Sequence, residues 1–200
     1  MAASAAPPDA PDAARIVASL RRELPARTPF VEVRWSSLLD RPLVLRGELE
    51  YAGPGHLSRR VEAPYREEMT VAGGEASVQR GDREARTFPL GQAPELEGFL
   101  RGFQSLLGGD AQALANDFTL SASGTDDRWR LVLKPRDARL ARRIQTIQVD
   151  GSAAAARCFR TQEADGDLSV LLVEAAVDAP LPRLPSQPQV DAICRSIDAR

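Results

Sequence analysis

From Thr28 onward apolar and polar positions alternate along most of the chain, and one long helical period interrupts the alternation halfway. Over residues 28–35, Val31, Val33 and Trp35 stand against Glu32 and Arg34. Over residues 43–51, Leu43, Leu45, Gly47, Leu49 and Tyr51 share one face, and Arg46, Glu48 and Glu50 share the other, which predicts a half-buried strand. The turn-forming run Ala52-Gly53-Pro54-Gly55 leads into a return strand over 57–62. Short strands at 68–71, 76–79 and 84–90 follow, joined by Gly73-Gly74 and Gly81-Asp82 in an antiparallel meander. Period two resumes at 118–122, 129–134, 143–149, 155–161 and 168–177. The turns between these strands include Gly124 to Asp127, Asp150-Gly151 and Asp165 to Asp167.

The interruption spans residues 93–115. Leu96, Phe99, Leu100, Phe103, Leu106 and Leu107 recur at the spacing that lines one face of an α-helix. Pro94 suits a first turn, Glu95 and Glu97 suit the positive end of the helix, and Gly108-Gly109 stops it. Each large apolar side chain left in water forgoes roughly 1.5–3 kcal/mol, so the stripe must be covered, and the flanking strands are the available cover. It is then either an ordinary core helix or the lid of an apolar cavity. Behind it, Asp110 can cap a second short helix carrying Leu114. Near the start, Ile16, Val17, Leu20 and Leu24 predict an amphipathic helix capped by Asp12 and ended by Pro25. Residues 180–188 read as extended and proline-rich, and 190–197 as a last helical turn or two.

About ten strands with helices inserted predict a mainly β, α+β fold. A sheet that long must curl, giving an incomplete antiparallel β-barrel with helices closing its open side. Residues 1–11, rich in Ala and Pro, are expected to be disordered, and 12–200 to form one domain. Met1 followed by Ala2-Ala3-Ser4-Ala5-Ala6 looks like an initiator joined to the small residues around a signal-cleavage site. It suggests a secreted protein in mature form, its signal peptide removed. The net charge of −2 and the 5% aromatic content give no reason to expect nucleic acid. No run of about 18 apolar residues is present to span a membrane.

No motif of catalysis stands out. The single His56 sits in a turn with no nucleophile beside it, and no phosphate-cradling glycine loop or zinc motif occurs. Glu163, Asp165 and Asp167 could hold a weak calcium ion but lack the full ligand series. No cofactor or metal is expected, and an enzyme is disfavoured. Cys158 and Cys194 are either two buried thiols or one disulfide tying the C-terminal segment to a strand.

The stretch from Gly47 through the proline turn at Pro54 to Pro64, followed by Met69 to Gly74, resembles the LolA family of periplasmic lipoprotein carriers. The later order agrees: a helical insert, Phe118-Thr119-Leu120, the strand Trp129 to Pro135, and the strands after it to Val177. The resemblance implies a half-barrel around an apolar cavity. It implies a carrier that takes lipoprotein acyl chains from an inner-membrane transporter to an outer-membrane acceptor, by binding and not by catalysis. The chain would then be a periplasmic monomer. Leu43, Leu45, Leu49, Tyr51, Leu57, Val61, Met69 and Val71 are the candidate cavity residues of the sheet, and Phe99, Phe103 and Leu107 those of the lid.

Two positions depart from the family pattern. An Arg that precedes the turn proline and latches the lid in family members is Gly53 here, and an aromatic on the next strand is Leu57. Arg59 is the candidate replacement for gating. The departure points to a divergent member whose cargo is another lipid-like molecule, such as a pigment or glycolipid. The competing reading is a solid-core β scaffold, in which the same Leu and Phe residues fill the barrel and leave no cavity.

Overall fold

The computed structural model describes residues 11–153 and 155–196. The stretch expected to be disordered therefore lies outside the described residues except for Pro11, which is buried. Among the described residues all eleven strands belong to one antiparallel sheet. They are β1 (Ala26–Trp35), β2 (Leu43–Gly53), β3 (His56–Ala63), β4 (Glu67–Ala72), β5 (Glu75–Arg80), β6 (Arg86–Pro89), β7 (Phe118–Thr125), β8 (Arg128–Pro135), β9 (Ile144–Ser152), β10 (Ala155–Glu163) and β11 (Leu168–Val173). The spatial order is β6-β5-β4-β3-β2-β1-β11-β10-β9-β8-β7. Two meanders, β1 to β6 and β7 to β11, are thus joined at a central seam where the first strand pairs with the last, Phe30 opposite Val173 and Val33 opposite Val170. The outer strands β6 and β7 remain edges, and the sheet curls without closing.

Among the described residues five α-helices complete the fold: α1 (Ala13–Ser19), α2 (Pro94–Leu107), α3 (Ala111–Asp117), α4 (Ala138–Ala141) and α5 (Gln187–Arg195). The chain passes from edge β6 to edge β7 through α2 and α3, so the helical insert crosses the open side of the sheet. Asp12, Asp110 and Asp137 cap α1, α3 and α4 by accepting from backbone N–H groups two or three residues on. Ser186 and Gln189 form a capping box at the start of α5.

Several boundaries depart from the sequence pattern. α1 stops at Ser19, and the backbone N–H of Arg22 then donates to the carbonyl of Leu107, tying its exit to the end of α2. Leu24, expected on the buried helical face, is consequently half exposed. Strand β11 ends at Val173 and not at Val177, because Glu174 takes a left-handed backbone (φ 51°) that turns the chain into a short 3-10 segment. Gly47 sits at a bulge where a Cβ would lie 1.8 Å from the carbonyl oxygen of Arg60, so no larger residue fits there.

The sheet buries both faces. On the convex side Val31, Val33, Val170 and Leu172 pack under α5 with Val190. Cys158 of β10 and Cys194 of α5 are joined by a disulfide with Cα atoms 5.5 Å apart, which staples the helix to the sheet. On the concave side Phe30, Leu45, Leu131, Leu133, Phe159 and Phe118 of the strands form the main core with Leu106 and Leu114 of the helical insert. A third cluster joins Tyr51, Leu57, Val71 and Ala76 to Leu100.

Candidate functional site

The concave side is not solidly filled. A cavity of about 480 Å³ lies between α2 and the sheet. Its roof is the predicted stripe of α2, of which Leu100 and Leu106 are buried while Leu96, Phe99 and Phe103 remain half-buried. Apolar side chains that face inward yet keep accessible surface are the signature of unfilled space, since a close-packed interior would cover them. Phe99 and Phe103 stack at 6.4 Å, and Phe103 meets Phe159 of β10 at 5.6 Å. The floor comes from both meanders: Leu49, Leu57 and Met69 on one side of the seam, Leu133, Ile147, Phe159 and Leu171 on the other.

Of the residues expected to line a cavity, Leu49, Leu57, Met69, Phe99 and Phe103 do so. Tyr51 and Leu107 line a smaller adjoining cavity of about 40 Å³, which also touches Leu49, Leu57 and Phe103. Leu43, Leu45 and Val61 also lie on the concave face but are taken up by packing into the main core, Leu45 and Val61 fully so. Val71 is sealed against Leu100 and its neighbours. These four belong to the wall behind the cavity and not to its surface.

The polar lining is a feature that alternation concealed. Glu32 and Arg34 project into the cavity, because the Val31 and Val33 face of β1 turns outward under α5. Glu32 is only 6% exposed. Its carboxylate accepts from Arg34 Nε at 2.7 Å and Nη2 at 3.1 Å, and from Arg59 Nη2 at 2.5 Å. Burial is the largest single effect and works against the Arg34 charge, but the hydrogen bond to Glu32 and the nearby charges of Glu32 and Glu67 together outweigh it and hold the guanidinium above its ordinary value. Arg59 also lies 3.6 Å from Glu67 and 4.9 Å over the Phe30 ring. These partners of Arg59, the residue considered for gating, are all on the sheet.

Around the far rim of the cavity stand Arg143, Thr161, Glu163 and Ser169. Burial, together with nearby Asp165 and Asp167, raises the Glu163 carboxyl above the usual range. Backbone groups occupy the carboxylates of the Glu163 loop: Asp165 Oδ1 accepts from the Asp167 N–H, and Asp167 Oδ1 from the Ser37 N–H of the β1–β2 connection. Among the described residues no group of His, Cys, Asp and Glu is arranged to hold a metal ion, and no helix is long and apolar enough to cross a membrane.

A family model described as outer membrane lipoprotein carrier protein LolA-like matches residues 5–195. The chain belongs to that LolA-like family. No curated protein matches it. Solved structures similar to this LolA-like chain at low identity include the following three. One is the LolA superfamily protein NE2245 from Nitrosomonas europaea, 14% identical, covering 88% of this chain and 95% of its own with a TM-score of 0.45. Another is LprF from Mycobacterium bovis, 14% identical over 89% and 98% with a TM-score of 0.36. The third is a DUF1329 family protein from Desulfovibrio piger, 8% identical over 86% and 92% with a TM-score of 0.37.

Proposed function

We propose that this protein is a periplasmic carrier that shelters the hydrocarbon chains of a lipoprotein, or of another lipid-like cargo, and ferries them toward the outer membrane. The observation that carries the reading is the cavity of about 480 Å³ under the half-buried stripe of α2. That volume lies within the range of roughly 300–1,000 Å³ typical of small-molecule sites. An acyl chain offers no hydrogen-bonding groups and gains about 0.8 kcal/mol for each CH₂ taken from water, so a dry wall of Leu, Ile and Phe suits it. Met69 adds a deformable contact. Membership of the LolA-like family supports the same reading. Binding and release need no covalent step, so the carrier is not an enzyme; an inner-membrane donor and an outer-membrane acceptor would load and unload it as a monomer.

The scaffold reading requires the same side chains to fill the interior, and the open volume counts against it. The polar lining fits an amphiphile whose head rests at the rim beside Arg143, Thr161, Glu163 and Ser169 while its chain lies against α2. The test is native mass spectrometry of the purified protein with extraction of bound material, followed by titration with a fluorescent fatty acid. Leu49→Glu places a carboxylate between the two cavities and opposite Arg59 in register. The variant is expected to keep its fold by circular dichroism and lose probe binding. Full binding by the folded variant would refute the carrier reading.

A further inference from the structure

We infer that Phe103 and Phe159 form a stop that sets the length of hydrocarbon chain the cavity accepts, an inference that rests on the carrier reading above. The large and small cavities share four lining residues, Leu49, Leu57, Phe103 and Phe159. Two of these are rings that meet across the interior, Phe103 from the helix and Phe159 from the sheet, with centroids 5.6 Å apart and planes tilted by 59°. They form a partition and not an end wall, because space continues behind them.

The two volumes lie along one axis. The small cavity touches β1 at Ala26 and Thr28, and the large one touches it at Glu32 and Arg34. At roughly 3.3 Å per residue, the path from Ala26 to Arg34 is on the order of 26 Å. Behind the rings the wall is apolar and made partly of small residues, Ala26 and Ala156, beside Leu20 and Val173. Its far end is polar. There Arg22 donates to Glu174 at 2.5 Å, the two side chains are about a third exposed, and Glu174 is the residue with left-handed backbone. An acyl chain entering from the rim therefore runs along the large cavity until it meets the rings, and the room beyond them is closed to it while they touch. Phe103 is the movable half, since it belongs to the helix and is only half-buried, whereas Phe159 is held in the middle of the sheet between Val149 and Leu171.

The experiment measures competition between a fluorescent fatty acid and saturated acids from decanoic to docosanoic, for the wild type, Phe103→Ala and Phe103→Leu. The wild type is expected to show an optimum length beyond which affinity falls. In Phe103→Ala the optimum moves to chains at least two methylenes longer, and the longest acids bind roughly tenfold more tightly than to the wild type. Phe103→Leu moves it the same way by less, and it carries the test if circular dichroism shows the alanine variant unfolded. An unmoved optimum in a folded variant that still binds overturns the stop and leaves the carrier reading standing. Failure of the wild type to take up any of the acids overturns the carrier reading and the stop with it.

Discussion

Glu32 binds two guanidiniums inside a mostly apolar cavity, and its replacement by glutamine should be costly out of proportion to the change in shape. The carboxylate is 6% exposed and receives three charge-assisted bonds, two from Arg34 and one from Arg59. Glutamine keeps one carbonyl oxygen but points an NH₂ donor at a guanidinium and removes the charge that both arginines face. Removing one partner of a fully buried ion pair costs about 3–5 kcal/mol. Here the cost is reduced, because the Arg34 side chain is 44% exposed and can turn to water, while Arg59 keeps Glu67 at 3.6 Å. About 2–3 kcal/mol remains, which for a chain of this size lowers Tm by roughly 4–12 °C. The assay is urea and thermal unfolding of Glu32→Gln beside Glu48→Gln. Glu48 accepts from Arg60 in a pair that is 55% and 33% exposed, and its loss should cost no more than about 0.5 kcal/mol. Equal stability of the two variants would refute the claim that the cluster inside the cavity holds the seam strand to β3 and β4.

Three other outcomes follow from particular contacts. Glu163 has its carboxyl raised above the ordinary glutamate value, so between that value and the raised one the native state binds more protons than the unfolded chain, and its contribution to stability is lost as pH rises through that window. Glu163→Gln should therefore be more stable than the wild type at neutral pH, with the difference shrinking as urea midpoints are measured at progressively lower pH. Cys194→Ser opens a cross-link between residues 36 apart and frees α5 from β10, at a cost of about 3–4 kcal/mol in urea unfolding against the oxidised wild type. Gly102→Ala would set a Cβ 2.2 Å from the buried Phe118 ring, and overpacking should outweigh the gain in helix propensity by about 1–2 kcal/mol in thermal melts. Gly91→Ala, with open space around it, is the control.

The architecture was legible because its two periods are clean. The stripe from Leu96 to Leu107 announces α2, and the glycine and aspartate turns mark the hairpins. What the pattern could not convey is which face of a strand looks into the cavity. On β1 the apolar set Val31, Val33 and Trp35 belongs to the convex core, while Glu32 and Arg34 line the cavity. Alternation assumes one dry face and one wet face, and here the second face is a compartment lined partly by ion pairs. Candidate residues chosen by hydrophobicity on β2 and β3 therefore mixed the surface of the cavity, Leu49 and Leu57, with the packed wall, Leu45 and Val61. Phe159 and Leu171 were missed because β10 and β11 carry apolar residues on both faces and give little hint of sidedness, whereas Leu133 and Ile147 lie on alternating strands whose apolar face was not assigned to the cavity. The four-residue α4, which places Leu140 over the cavity, is too short to show a period; only its cap at Asp137 marks it.

The seam between β1 and β11 gives the molecule a particular mechanics. Every strand is laced to its neighbours by hydrogen bonds from β6 through the seam to β7, so the sheet behaves as one continuous spring leaf. The helical insert is a strap between the two free ends of that leaf, and it meets the concave surface through side chains such as Leu100, Phe103 and Leu106. Side-chain contacts give way by small increments of dispersion energy, whereas a hydrogen-bonded ladder yields a whole bond at a time. Flexing the leaf therefore changes the bore of the cavity without unlacing the sheet.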